Sequence, residues 1–204
     1  MNNEVFDIII SLVKSYKEDT KWNHPNVRSF YKNKEYLIHN ADYILNQVLR
    51  QINIPEDHYL LSKEANDLWN KLKPDGKYGK NIKDYWYRET LTVHSDEPVE
   101  IKEYSGASKT PIVKKVKDGD TFIFRNVFHL EHIYPIDMVI EDLKELNKSG
   151  DLNYDSLAKV LDKIYICRIT KEEDRNISST FKSSRPHDLD KILKEVYVNI
   201  EIVK

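Results

Sequence analysis

Hydrophobic residues recur at helical spacing through the first seventy residues of the chain. Between residues 4 and 16 they lie three or four positions apart, which predicts an amphipathic helix. The same spacing predicts a second helix over residues 34–51 and a third over residues 62–72, with Ser62 as its N-cap. We therefore expect residues 1–80 to form a helical amino-terminal part.

The pattern changes after about residue 85. Short runs of β-branched and aromatic residues alternate there with turn-forming residues, and these runs span 90–93, 99–102, 112–116 and 121–124. They predict a small antiparallel sheet. Beyond Pro135 the pattern predicts helices over 136–148 and 153–163, a strand over 164–169, a short helix from 170, and a helix or extended segment over 188–202. The predicted class is α+β, with residues 81–204 as the α+β part.

Composition sets limits on the partners and the setting of the protein. The chain has 204 residues, 40% of them hydrophobic, and a net charge of −2, so a nucleic-acid partner would need a local basic surface. The single cysteine excludes an internal disulfide and a multi-cysteine zinc site, and it favours a reducing, cytoplasmic location. We find no secretory signal and no apolar run long enough for a membrane span, so no membrane partner is expected.

Candidate chemistry is concentrated at Glu131-His132, where the aromatic run ends and a predicted helix begins. A carboxylate can hold a hard divalent cation, and a neighbouring imidazole can take a proton from water. Together the two side chains could take the roles of metal ligand and base in one hydrolytic reaction. His129 should point to the opposite strand face from His132, and we assign it a structural role.

One carboxylate holds a magnesium-like ion weakly, so Glu131 needs a partner. The segment after the strand 164–169 offers Glu173, Asp174 and Asn176. Consecutive positions on a helix diverge by about 100°, so these three side chains cannot all face Glu131. The residues by themselves leave open which one completes the site.

The segments Glu131-His132-Ile133-Tyr134-Pro135 and Thr170-Lys171-Glu172-Glu173-Asp174-Arg175 resemble the two motifs of the HNH, or ββα-metal, endonucleases of restriction or phage type. The resemblance covers about residues 120–177. It implies a ββα-metal core and a divalent cofactor, Mg²⁺ or Mn²⁺. By position it makes Glu131 and Asp174 metal ligands and His132 the general base. Asparagine or histidine is more usual at the place of Asp174, so Asn176 is the alternative ligand.

The same resemblance implies metal-dependent hydrolysis of DNA phosphodiester bonds, with double-stranded DNA as substrate. Asp162 would orient His132, and Arg175 or Arg168 would add positive charge near the scissile phosphate. A double-strand cutter generally needs two active sites, so we expect a homodimer formed through the amino-terminal helices.

Basic residues could provide a DNA-facing surface despite the negative net charge. The candidates are Lys109, Lys114, Lys115, Lys117, Lys182 and Arg185. The lysines of the predicted hairpin have an ordinary alternative role, because lysine on an edge strand discourages strand addition. The alternative for the whole chain is a non-catalytic module that binds nucleic acid or protein and carries a vestigial HNH motif.

Overall fold

The structure is a computed structural model, and it describes residues 3–15, 41–74, 81–84, 91–95, 97–104, 110–116, 121–124, 127–181 and 185–203. In chain order its elements are α1 (Asn3–Lys14), α2 (Ala41–Leu49), β1 (Tyr59–Ser62), α3 (Lys63–Leu72), β2 (Leu91–His94), β3 (Val99–Glu103), β4 (Ile112–Val116), β5 (Thr121–Phe124), β6 (Phe128–His132), α4 (Ile136–Ser149), α5 (Tyr154–Leu161), β7 (Ile166–Thr170), α6 (Lys171–Asn176), α7 (Leu189–Glu195) and β8 (Ile202–Val203). Single 3-10 turns span Glu56–His58, Ile82–Asp84 and Ser179–Phe181. The α+β class is confirmed.

The chain divides into two compact units, each built from separated segments. One combines residues 1–53 with 135–164, and the other combines residues 54–134 with 165–204. This division differs from the single predicted boundary between residues 1–80 and 81–204. Strand β1 explains part of the difference, because it pairs with β7 and β8 and so ties residues 54–74 to the second unit.

The first unit consists of helices in the part of the chain that the structure describes. Helices α1, α2 and α4 contact one another, and α5 packs on α4. Their apolar positions are buried, as the helical spacing predicted, at Ile9, Val13, Leu45, Leu49, Val139, Leu143 and Leu157. Helix α4 ends at Gly150, whose φ of 80° suits glycine because a Cβ is disfavoured in the left-handed region. Asn153 and Ser156 then form a capping box that starts α5.

The second unit is organised around a four-stranded mixed sheet with strand order β6-β7-β1-β8. Strand β6 is antiparallel to β7, β7 is parallel to β1, and β1 is antiparallel to β8. Strand β1 leads directly into α3, where Ser62 caps the helix by accepting a hydrogen bond from the Ala65 amide. The sequence pattern did not predict β1, since a four-residue strand adjoining a helix carries little periodicity of its own.

The predicted small antiparallel sheet divides into two ribbons among the described residues. Strand β2 pairs with β5, and β3 pairs with β4, both antiparallel. The ribbons, helix α3 and the start of β6 share one core, which includes Ala65, Trp69, Leu72, Ile82, Leu91, Val93, Ile101, Val116, Val127 and Phe128. Trp69 meets Phe128 edge to face, with ring centroids 5.7 Å apart. The core thus fixes β6 against α3.

The carboxyl-terminal segment differs from the predicted helix or extended run over residues 188–202. It forms the short helix α7, capped by Asp188, and then strand β8 at the edge of the sheet. The longest helix in the described part of the chain is α4, with 14 residues. None of the described helices has the length and apolar character needed to cross a membrane.

Candidate metal centre

The candidate centre is built on β6, β7 and α6, which follow one another in space as strand, strand and helix. Glu131 lies opposite Cys167 in the antiparallel register, and His129 lies opposite Ile169. Because side chains alternate along a strand, His129 and Glu131 share one face of β6. Strand β7 ends at Thr170 and α6 begins at the next residue, so the helix starts beside that face.

A capping box fixes the start of α6. The Thr170 hydroxyl accepts from the Glu173 amide at 3.1 Å, and the Glu173 carboxylate accepts from the Thr170 amide at 2.7 Å. The Ser62 hydroxyl donates to the same carboxylate at 2.6 Å and links α6 to β1. Glu173 is buried and serves this structural role, which removes it from the three candidate partners of Glu131.

Three side chains from this unit bring potential ligand atoms together. They belong to His129, Glu131 and Asp174, and the atoms lie within 4.8 Å of one another. The structure therefore brings Glu131 and Asp174 to one place, although 43 positions separate them in the sequence. His129 joins them because it lies two positions before Glu131 on the same strand face.

Both oxygens of the Glu131 carboxylate are held by hydrogen bonds. Oε1 accepts from Arg185 and, at 3.4 Å, from the Tyr197 hydroxyl, and Oε2 lies 3.1 Å from His129 Nε2. Burial by itself raises the pKa of Glu131, but the hydrogen bond from His129 and the charge of Arg185 outweigh it and lower the pKa to about 2. Glu131 is therefore ionised and fixed in orientation at neutral pH.

Lys171 lies beside the two other members of the cluster. Its ammonium nitrogen is 2.9 Å from His129 Nδ1 and 3.2 Å from Asp174 Oδ2. The ammonium reaches Asp174 because residues three apart on a helix lie on the same side. The side chains of Lys171 and Asp174 are only 21% and 19% exposed, so this ion pair is shielded more than a surface pair.

Arg185 is not the surface phosphate ligand that the sequence predicted, and this prediction is corrected. Its side chain is only 2% exposed. Its guanidinium donates to the backbone oxygens of Phe181, His132 and Ile133, to the Tyr197 hydroxyl, and to Glu131. A buried guanidinium with these acceptors holds the end of β6 in place and cannot also face a DNA backbone.

His132 lies at the end of β6, and strand alternation directs its ring away from the face that carries Glu131. Among the described residues, the set of converging ligand atoms includes none from His132. Asn176 lies two positions after Asp174, which corresponds to about 200° around a helix. It is exposed and faces away from the cluster, so the geometry favours Asp174 over Asn176.

The two other predicted catalytic side chains lie elsewhere in the fold. The Arg175 guanidinium lies over the Tyr104 ring, 4.1 Å from its centroid, on the side of α6 that faces β3. Asp162 belongs to the first unit, where it is the exposed C-cap residue of α5. A role for Asp162 in orienting His132 stays a prediction.

The predicted basic surface is described only in part. Lys109, Lys117 and Lys182 lie outside the described residues. Lys114 forms a 2.5 Å ion pair with Glu103, and Lys115 lies opposite Glu100 in the β3–β4 register. These two lysines are neighbours in a strand, so they also point to opposite faces. The hairpin therefore presents balanced charge where it is described.

Sequence reasoning left three residues out of the centre: His129, to which it assigned a structural role, and Lys171 and Tyr197, which it did not name. Two of them had a local signal. His129 precedes Glu131 by two positions, the spacing of one strand face, and Lys171 precedes Asp174 by three, the spacing of one helix face. Tyr197 had no such signal, because only tertiary folding brings it to Glu131.

The donor set of one imidazole nitrogen and two carboxylate oxygens could hold a metal ion, and it is not specific to one metal. Carboxylate oxygens are the ligands that Mg²⁺ prefers. Glu131 and Asp174 supply two negative charges, but Arg185 and Lys171 contact the same two carboxylates and balance them.

The chain matches no protein-family model, no curated protein and no solved structure. The resemblance to HNH endonucleases therefore depends on the two sequence motifs alone.

Proposed function

We propose that this protein is a divalent-metal-dependent phosphodiester hydrolase of the HNH type, acting on DNA. One observation carries the proposal: a strand–strand–helix unit brings Glu131 and Asp174 together although 43 positions separate them in the sequence. The motif resemblance predicted the same two residues as metal ligands. A chance acid-histidine pair gives no reason to expect a second carboxylate at this place.

In the proposed reaction Glu131 and Asp174 hold the cation, and His132 takes a proton from the attacking water. The cation, Mg²⁺ or Mn²⁺, would neutralise charge that develops on the scissile phosphate. Glu131 is suited to its role because its lowered pKa keeps it ionised, and because Arg185 and His129 fix both of its oxygens. The two ligands are supported by their convergence, whereas the base role of His132 comes from the motif resemblance, because alternation along β6 points its ring to the other face.

Nicking of supercoiled plasmid DNA with Mg²⁺ or Mn²⁺ tests the proposal. We expect nicking by the wild type and a loss of at least about 100-fold in E131Q, D174N and H132A, the usual range for a lost general base or a comparable catalytic group. N176A is the matched control, since Asn176 lies on the far side of the same helix and should leave the rate unchanged. Equal nicking by the wild type and H132A would remove His132 as the base.

The alternative is a non-catalytic module that binds nucleic acid or protein. The contacts of Lys171 and Arg185 with Asp174 and Glu131 favour it, because two cations already neutralise the two carboxylates. Isothermal titration with Mn²⁺ separates the two candidates. DNA binding without either Mn²⁺ binding or cleavage would support the module and contradict the hydrolase.

A further inference from the structure

Three cationic side chains lie on the elements β7 and α6 of the candidate centre. They are Arg168 on β7 and Lys171 and Arg175 on α6. A fixed positive charge that touches a phosphate stabilises the charge that develops on it during hydrolysis. The position of each cation therefore decides which of them can contact a substrate at the centre.

The two arginines on these elements point away from the centre. Strand register places Arg168 on the face of the sheet opposite to Glu131. The Arg175 guanidinium lies over the Tyr104 ring, on the side of α6 that faces β3. Arg185 does reach the centre, but its side chain is only 2% exposed and it donates to five acceptors of the protein. None of these three guanidinium groups is placed to bind a phosphate at the centre.

Lys171 combines contact with the centre and access to solvent. Its Nζ lies 3.2 Å from Asp174 Oδ2 and 2.9 Å from His129 Nδ1. An ammonium group has three N–H donors, and these two contacts use at most two of them. In the described part of the chain the nitrogen has no third contact, and its side chain is 21% exposed. Lys171 can therefore donate to a ligand while it stays beside Asp174.

The charges of the centre indicate the kind of ligand that would be bound. Glu131 and Asp174 carry two negative charges, and Arg185 and Lys171 carry two positive charges. A divalent cation would add two positive charges to this balanced set and so favour an anion beside it. A lysine ammonium binds phosphate as a point charge. A phosphodiester, with one negative charge, fits this requirement.

We propose that Lys171 contacts the phosphodiester that is cleaved, donating to one of its non-bridging oxygens while it remains next to Asp174. This inference rests on the metal centre of the proposed function and adds a residue that touches the substrate. Lys171 takes the role that the sequence predicted for Arg175 or Arg168. A contact of this kind recognises the phosphate and carries no information about base sequence.

Binding of dimethyl phosphate, a small phosphodiester, tests the contact without any cleavage. Protein-bound Mn²⁺ broadens the ³¹P signal of a phosphate bound near it, so the broadening measures affinity. We expect broadening with the wild type and an affinity about tenfold lower in K171M, the usual effect of losing a hydrogen bond between charged groups. K171R keeps a charged donor and should retain binding.

The affinity for Mn²⁺ itself separates a phosphate contact from a structural role. Removal of a positive charge beside Asp174 should leave Mn²⁺ binding unchanged or tighter. Weaker Mn²⁺ binding by K171M would show that Lys171 acts by holding Asp174, and it would overturn the inference. K102M is the matched control, since Lys102 pairs with Glu172 on the other side of α6 and should change neither affinity.

The wild type alone provides a further measurement that needs no folded K171M. In the Mg²⁺-loaded protein, dimethyl phosphate should shift the ¹⁵N signal of the Lys171 ammonium, which is assigned by its absence in K171R. No shift would overturn the inference. Absence of ³¹P broadening by the Mn²⁺-loaded wild type would do the same.

Plasmid nicking distinguishes failure of this inference from failure of the proposed function. At saturating Mg²⁺ we expect kcat to fall about 100-fold in K171M, as for the loss of one donor to the transition state, and to be unchanged in K102M. Nicking by the wild type with an equal kcat in K171M would overturn the inference and leave the hydrolase standing. Failure of the wild type to bind Mn²⁺ would overturn both.

Discussion

The two sides of α6 carry similar charges but have different surroundings. One side bears Lys171 and Asp174, and the other bears Glu172 and Arg175, each pair three residues apart. The first side meets a second carboxylate and an imidazole from β6. The second side meets Lys102 of β3, which pairs with Glu172. On the first side, two carboxylates from different elements converge with an imidazole.

Burial amplifies this difference. Glu131 and Asp174 are 13% and 19% exposed, whereas Glu172 and Lys102 are 34% and 40% exposed. Charges shielded from water interact strongly, and exposed pairs are screened by solvent and salt. Two shielded carboxylates therefore require cations close by, whether Arg185, Lys171 or a metal ion. A charged face of a helix becomes a candidate site where charged side chains from another element converge on it and are shielded from water.

The second side of α6 also borders a groove of about 700 Å³ whose lining includes seven carboxylates and three lysines. Its acids are Glu64, Asp67, Glu97, Glu100, Glu172, Glu173 and Glu201, and its cations are Lys63, Lys71 and Lys102. This excess of negative charge repels a phosphate backbone. Under the proposed function, we therefore expect a DNA substrate to approach α6 from its Asp174 side.

The largest effect on stability is expected from the loss of Arg185, the buried cation that contacts Glu131 on the first side of α6. Arg185→Met leaves Glu131 and several backbone oxygens without their donor, and we expect stability to fall by about 3–5 kcal/mol, as when one partner of a buried ion pair is removed. Urea unfolding at neutral pH measures it. K102M removes the exposed ion pair on the second side and should cause no resolvable change. Similar losses in both variants would make the two sides energetically equivalent.

The next effect is the pH dependence of stability that Glu131 contributes. Its pKa is lowered on folding to about 2, so its stabilisation is fully present above the unfolded pKa and is lost as the pH falls towards the folded pKa. We expect the wild type to lose about 3 kcal/mol relative to E131Q between about pH 5 and pH 2. Urea unfolding of both proteins along a pH series measures this difference. A constant gap between them would show that Glu131 is not held as an ion pair.

The smallest effect on stability is expected from the loss of the Thr170 cap, which begins helix α6 as a whole. Thr170→Ala removes the acceptor for the Glu173 amide, and loss of such a cap costs about 1 kcal/mol. Thermal or urea unfolding measures it. Thr180→Ala is the matched control, because the amide of this exposed residue keeps its hydrogen bond to Ser178. If both variants are equally stable, the cap does not fix α6.

Several elements could be predicted because their signals are local. The spacing of apolar residues predicted α1, α4 and α5, and Ser62 marked the start of α3. Strand β1 could not be predicted, since its neighbours β7 and β8 lie more than a hundred positions away in the chain. The sequence predicted a strand over residues 121–124 and placed Glu131-His132 at the end of the same aromatic run, yet β5 and β6 belong to different sheets.

For the centre, the sequence by itself indicated Glu131 and left its partner open among Glu173, Asp174 and Asn176, and the motif resemblance favoured Asp174. Tertiary structure alone decided the rest. It moved Arg185 from a predicted DNA-facing surface to the interior, and it brought Tyr197 to Glu131. The physical reason is that a charge acquires its role from the groups packed around it. Those groups come from segments that are distant in the chain, which no local pattern records.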